Sequence, residues 1–163
     1  MMRMLNSECG MLKCGQALLF ALCVVSFAGG EDKSPSFETQ TIRGRVVFLG
    51  EVMERETEIA VVPEARERVL ALRTNRGELI PLLEDVRARA FRRDERLRDM
   101  EVELVVRRYV NSPVVQVIRV FEVAKDGRYE IDYWCGVCSI AMFEKKDCEC
   151  CQGESELRRR KID

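Results

Sequence analysis

Residues 101–138 read EVELVVRRYVNSPVVQVIRVFEVAKDGRYEIDYWCGVC. Val102, Leu104 and Val106 alternate with Glu101, Glu103 and Arg107, the period-two pattern of a half-buried strand. Asn111-Ser-Pro113 turns the chain. Val114–Val123 is a second strand, apolar on both faces over much of its length. Asp126-Gly127 makes a tight turn, and Tyr129–Trp134 runs back beside the second strand into a CxxC pair. Three consecutive antiparallel strands ending in two cysteines predict a β protein with a thiol site at one end of its sheet.

The residues before this stretch extend the pattern. Thr41–Gly50 is β-rich, and Gly44 within it marks a bulge or sharp bend. Residues 51–68 are charged and form a long connection, with a helical turn at 63–68 opened by Pro63. Val69–Arg73 and Glu78–Leu83 flank Thr74-Asn-Arg-Gly77, a hairpin with Gly at the end of its loop. Pro81 suits an edge or a strand end. Residues 84–99 predict one helix, with Val86, Ala90 and Leu97 on one face and Glu84 and Asp85 at its start. The order strand, hairpin, helix, two strands over residues 41–124 resembles an OB-fold, a five-stranded barrel with its helix between the third and fourth strands. An open antiparallel sheet with one helix on a face is the competing architecture.

The cysteines carry the chemistry. Cys135-x2-Cys138-x9-Cys148-x-Cys150-Cys151 contains two CxxC pairs, Cys135/Cys138 and Cys148/Cys151, with Cys150 as an alternate ligand. Joined by a short β segment at 139–143, they resemble a zinc ribbon, a β hairpin carrying two metal knuckles. Tetrahedral Zn²⁺ takes four thiolates at about 2.3 Å, and two such turns supply them from opposite sides. Cu(I) is the alternative metal, since thiolates suit it and CxC and CC features add sulfur. Gly136 and Gly153 lend backbone freedom near the knuckles. Lys145, Lys146 and Arg158–Lys161 offer positive charge against a four-thiolate site. Structural disulfides compete with a metal, although of the eight cysteines the five that remain once Cys9, Cys14 and Cys23 leave with an N-terminal signal cannot all pair within one chain. WCGVC also resembles the WCGPC of thioredoxins. Against a redox dithiol, the residues after Cys138 hold no long helix, and no proline follows Pro113 to supply the cis-Pro loop of that fold.

Composition narrows the function. The chain has 163 residues, 47% hydrophobic and 34% charged, enough for one packed domain and an appendage. It contains no histidine, which removes imidazole metal ligands, His-activated nucleophiles and haem attachment. A net charge of −1 argues against a dedicated nucleic-acid binder. Six arginines between Arg87 and Arg98 invite a polyanion, but Glu84, Asp85, Asp94, Glu95 and Asp99 lace the same run, as on a solvated helix. Glu101, Glu103 and Glu122 form no distinct acid/base pair, and neither a Gly-rich phosphate loop nor a GxSxG element is present. No catalytic residue emerges.

The N-terminus predicts a signal helix over 1–30. Arg3 and Lys13 precede an apolar run from Ala17 to Ala28, followed by Gly29, Gly30 and then Glu31 and Asp32. The run is shorter than the roughly 20 residues of a membrane span. Residues 31–40 read as a flexible leader, 41–124 as the barrel and 125–163 as the Cys-rich module. Export to the periplasm or cell envelope, with a protein or polyanion there as partner, follows from this layout. Membrane contact would come only through an uncleaved signal segment.

The pattern YWCxxC…CxCCQG behind a barrel-like segment and a signal peptide resembles a group of small exported bacterial proteins, chiefly planctomycete-type, to which no activity is attached. The likeness covers about residues 41–160. It implies bacterial origin and a shared architecture, and carries no activity over. The sequence as a whole reads as an exported, non-enzymatic binding or scaffolding protein of the cell envelope with a structural four-cysteine metal site.

Overall fold

The computed structural model describes residues 35–162; the signal segment predicted over 1–30 lies outside them. The described residues are mainly β. A single eight-stranded sheet contains β1 (Phe37–Phe48), β2 (Leu70–Thr74), β3 (Leu79–Leu83), β4 (Val102–Tyr109), β5 (Val115–Ala124), β6 (Gly127–Cys135), β7 (Ile140–Met142) and β8 (Glu156–Ile162). Strand order is β3-β2-β1-β4-β5-β6-β7, with β8 on the free side of β6. All pairings are antiparallel except that of β3 with β5. There Leu82 meets Val115 and Leu83 meets Gln116 in parallel. This short pairing partly closes β1-β2-β3-β5-β4 into a ring, which removes most of the exposed edge of those strands.

Strand β1 makes the ring possible by serving two partners. Its N-terminal part pairs β4 and its C-terminal part pairs β2, with Gly44 opposite both Thr74 and Val102. A Cβ on Gly44 would lie 2.0 Å from the Arg73 carbonyl oxygen, so only glycine lets the backbones meet at this bend. The strand starts at Phe37, ahead of Thr41, where the sequence pattern becomes β-rich. Inside the ring, Leu72, Phe91, Leu104, Val106 and Val117 are fully buried. The β2–β3 turn closes as expected, with Gly77 at φ 84° and its N–H on the Thr74 carbonyl.

Two elements differ from the sequence expectation. The charged connection holds a helix, α1 (Leu49–Thr57), and the short α2 (Pro63–Arg66). Within α1 only Val52 is fully buried, and its short stripe of Leu49, Val52 and Met53 does not stand out among the charged residues. The helix expected over 84–99 is split into α3 (Val86–Arg93) and α4 (Arg96–Asp99). Asp85 caps α3, its carboxylate accepting from the Arg87 and Ala88 N–H groups at 3.0 and 3.1 Å. At the break, Asp94 is extended, and its carboxylate takes the Arg96 N–H (3.2 Å) and the Tyr133 hydroxyl (2.9 Å). A side chain that offers the backbone a local bond and a buried partner outcompetes helix continuation. α3 and α4 lie between the third and fourth strands of the ring and bury Ala88, Ala90, Phe91 and Leu97.

Strand β8 carries no sequence signal. Its residues ELRRRKI hold no alternation, yet they pair β6 from Arg128↔Ile162 to Trp134↔Glu156. Ion pairs across the sheet supply what the pattern lacks: Arg158 grips Asp132 through two bonds (2.8 and 2.6 Å), Arg159 meets Glu122, and Arg160 meets Glu130.

Candidate metal centre

Four thiols converge where β6 leaves the ring. The Sγ atoms of Cys135, Cys138, Cys148 and Cys151 all lie within 4.8 Å of one another, and Cys135 and Cys151 are 3.4 Å apart. A tetrahedron with arms of about 2.3 Å has edges of about 3.8 Å, so the cluster needs only small shifts to enclose one ion. Cys135 and Cys148 are buried at 1% exposure and belong to the hydrophobic core; Cys138 is half-buried and Cys151 exposed. The group is therefore anchored on its inner side and open on its outer side.

The two pairs are the same turn used twice. The Ser139 N–H bonds the Cys135 carbonyl at 2.8 Å, and the Gln152 N–H bonds the Cys148 carbonyl at 2.9 Å. In each case the residue after the second cysteine is left-handed, Ser139 at φ 55° and Gln152 at φ 59°. This repetition selects Cys151 over Cys150 as partner of Cys148, because only Cys151 occupies the position Cys138 holds in the first turn. Cys150 is exposed and stands outside the four-sulfur group. The backbone freedom expected at Gly136 and Gly153 is used elsewhere: neither has a positive φ, while Ser139 and Gln152 do. Gly153 instead permits close approach, since a Cβ there would sit 3.3 Å from the Cys151 sulfur.

Electrostatics single out one thiol. Backbone N–H groups of Cys151 and Cys150 directed at Cys148 bring its pKa down to about 7. Cys138 is pushed the other way, mainly by hydrogen bonds to the Cys150 and Cys151 thiols. Without a cation, sulfur atoms this close titrate as a coupled group.

Four of the cations expected to offset a thiolate site, Lys146 and Arg158–Arg160, are committed to carboxylates. Arg158, Arg159 and Arg160 hold β8 to β5 and β6, and Lys146 meets Glu149 (2.5 Å) and Glu144 (3.4 Å). The backbone N–H groups of the two turns therefore supply the positive potential near the sulfurs. No family model, curated protein or solved structure matches the chain.

Two buried carboxylates that the sequence does not flag tie the thiol segment to the ring. Glu144, directly after β7 and Phe143, is 2% exposed and accepts from Arg89 Nε and Nη2 at 2.6 and 2.8 Å. Asp94, bound by Arg96 and the buried Tyr133 hydroxyl, joins the α3–α4 break to β6 two residues before Cys135. Phe143 lies under the Arg87 guanidinium (3.5 Å), and Arg158 covers Trp134 (3.8 Å). Phe143 and Glu144 thus rest on α3, while Trp134 on β6 is covered from β8. Among the other arginines of the run, Arg92 binds Glu84 at 2.7 Å and Arg96 binds Asp94 at 2.5 Å. Glu103, expected on an outward face, is buried between Arg43 and Arg128.

Proposed function

We propose that this chain is an exported, non-enzymatic binding or scaffolding protein of the cell envelope: an OB-like barrel whose C-terminal strands are clamped by one structural Zn²⁺ on Cys135, Cys138, Cys148 and Cys151. The observation that carries the reading is the pair of matched turns, which deliver two sulfurs each to one point. Ring order β1-β2-β3-β5-β4 with helices between the third and fourth strands supports the OB-like description. An all-cysteine donor set with two buried members fits a closed, structural site, since a catalytic zinc keeps a position for water or substrate. The burial of Cys135 also weighs against WCGVC acting as a redox dithiol, whose attacking thiolate needs access.

Exposure of Cys150 beside the open side of the cluster favours a second reading, in which the site carries and hands on Zn²⁺ or Cu(I). Native mass spectrometry with elemental analysis of the processed chain tests both. One tightly held zinc per chain, lost only with unfolding of 136–155, supports the structural role. Rapid loss to a competing thiol supports handling. Ion-free protein whose cysteines are oxidised in pairs overturns both.

A further inference from the structure

We propose that the groove between α3–α4 and the segment after β7 binds a linear polyanion bearing phosphate or sulfate groups. This deepens the binding reading by naming a ligand class, and it stands apart from the metal. The groove is an open concavity of about 750 Å³ with Arg93, Lys145 and Lys146 on its walls. It adjoins a second concavity of about 430 Å³ that shares Arg93 and Lys145 and adds Arg92, Arg96 and Arg98. Only Asp94 and Glu95 face those five cations in the second part; Asp147 and Glu154 line the first part alone.

Charge bookkeeping separates occupied cations from available ones. Arg92, Arg96 and Lys146 each have a carboxylate within 2.7 Å. Arg98 spends its donors on the backbone carbonyls of Phe91 and Arg92 and keeps its charge uncompensated. Arg93 reaches only Glu144, at 3.7 Å, and that carboxylate is already held by two bonds from Arg89. Lys145 is exposed and has no carboxylate partner among the described residues. Two cations without a carboxylate partner, Arg98 on α4 and Lys145 after β7, and Arg93 on α3, which shares Glu144 with Arg89 at 3.7 Å, therefore stand along one open groove. Guanidinium forks match the oxygens of phosphate and sulfate in pairs. Charges spread over separate elements in a long, open groove suit a repeating anion better than one small ion. The position of Lys145 follows from the Glu144–Arg89 grip, which needs no metal.

The test is a binding titration of the full chain, as the cell processes it, against medium-chain inorganic polyphosphate and against heparin, with metal content measured on every sample. Saturable binding to at least one probe is expected, weakening steeply between about 50 and 200 mM salt. The preferred probe tells phosphate from sulfate. Arg93→Glu/Lys145→Glu should lose about tenfold or more in affinity with unchanged metal content and circular dichroism, while Lys125→Glu, a single charge reversal at an exposed turn, stays within about twofold. Absence of binding at low salt, an unaffected double variant, or an equal loss in Lys125→Glu overturns the proposal. Such a failure with zinc in place leaves the metal reading standing, and binding by ion-free protein leaves the groove standing.

Discussion

Removing either member of the Glu144–Arg89 pair should cost different amounts, and the difference follows from exposure. The Glu144 side chain is 2% exposed and the Arg89 side chain 42%. Glu144→Gln keeps the shape and leaves behind a guanidinium that water can solvate. It loses the charge from two hydrogen bonds, about 1.5 kcal/mol in all. Arg89→Met leaves a buried carboxylate. Breaking a buried pair from the wrong side costs about 3–5 kcal/mol. Lys146 at 3.4 Å and Arg93 at 3.7 Å offset part of this, so about 3 kcal/mol is expected. Urea unfolding of the zinc-loaded protein at pH 7 measures both. Acidity supplies a second readout. The Arg89 bonds hold the Glu144 carboxyl below its usual range, so its stabilisation is complete above the unfolded pKa, about 4.3, and fades as pH falls through the folded value. The Arg89→Met deficit should therefore shrink on acidification below about pH 4. Equal costs for the two variants, or a deficit that ignores pH, would refute the claim that burial of Glu144 sets the asymmetry.

Other perturbations probe the same framework. Asp94 is held at a pKa of about 2, chiefly by its bond to Arg96 and also by Tyr133, so its contribution is present above about pH 4 and fades as pH falls through 2; Asp94→Asn should cost about 1–2 kcal/mol at pH 7 and progressively less as pH falls from 4 towards 2 in urea titrations. Gly44→Ala drives a methyl into the Arg73 carbonyl and should lower stability by more than about 3 kcal/mol, read as a drop in Tm or loss of soluble protein. Gln152→Gly relieves a left-handed non-glycine residue and should raise stability by about 0.5–1 kcal/mol in urea. Cys150→Ser should keep one zinc per chain and Cys151→Ser should not; elemental analysis of the two proteins decides between the matched turns and any scheme that uses Cys150.

Alternation made strands of the ring legible. Val102, Leu104 and Val106 are all fully buried on β4, and the Thr74–Gly77 turn sits where its glycine demanded. Gly44 was readable as a bend for the reason the structure displays: a strand shared by two partners needs a residue without a side chain at the crossing. What escaped the pattern is held by charge. β8 and the α3–α4 break depend on Arg158–Asp132 and Asp94–Tyr133, pairs far apart in sequence that no local window can match. The helix α1 escaped because its short stripe of Leu49, Val52 and Met53 is lost among charged residues. Spacing alone brought four cysteines to attention but left Cys150 and Cys151 as rivals. The choice between them is a matter of backbone geometry, the residue-139 and residue-152 turns, which the letters do not encode.

That geometry also explains why the thiols sit at this end of the fold. β6 pairs β5 over its first half, then continues alone past the ring, flanked by β7 and β8. Its inward residues, Ile131, Tyr133 and Cys135, form one buried row, so the first thiol is a core residue before it is a ligand. The second buried thiol, Cys148, has no strand to carry it and reaches the same core from a loop whose regular contacts are the Ser155–Lys146 and Cys148–Gly153 bonds. A loop of this kind has little apolar surface to offset its ordering entropy. A cross-link at Cys148 is the least expensive device that fixes it, and an ion drawing on four sulfurs contributes on the order of 10 kcal/mol where the side chains alone contribute little. On the proposed metal reading, the ion's structural work falls on residues 136–155, and β6 with β8 should keep their pairing after its removal, because their ion pairs and the Tyr133–Asp94 bond owe nothing to sulfur.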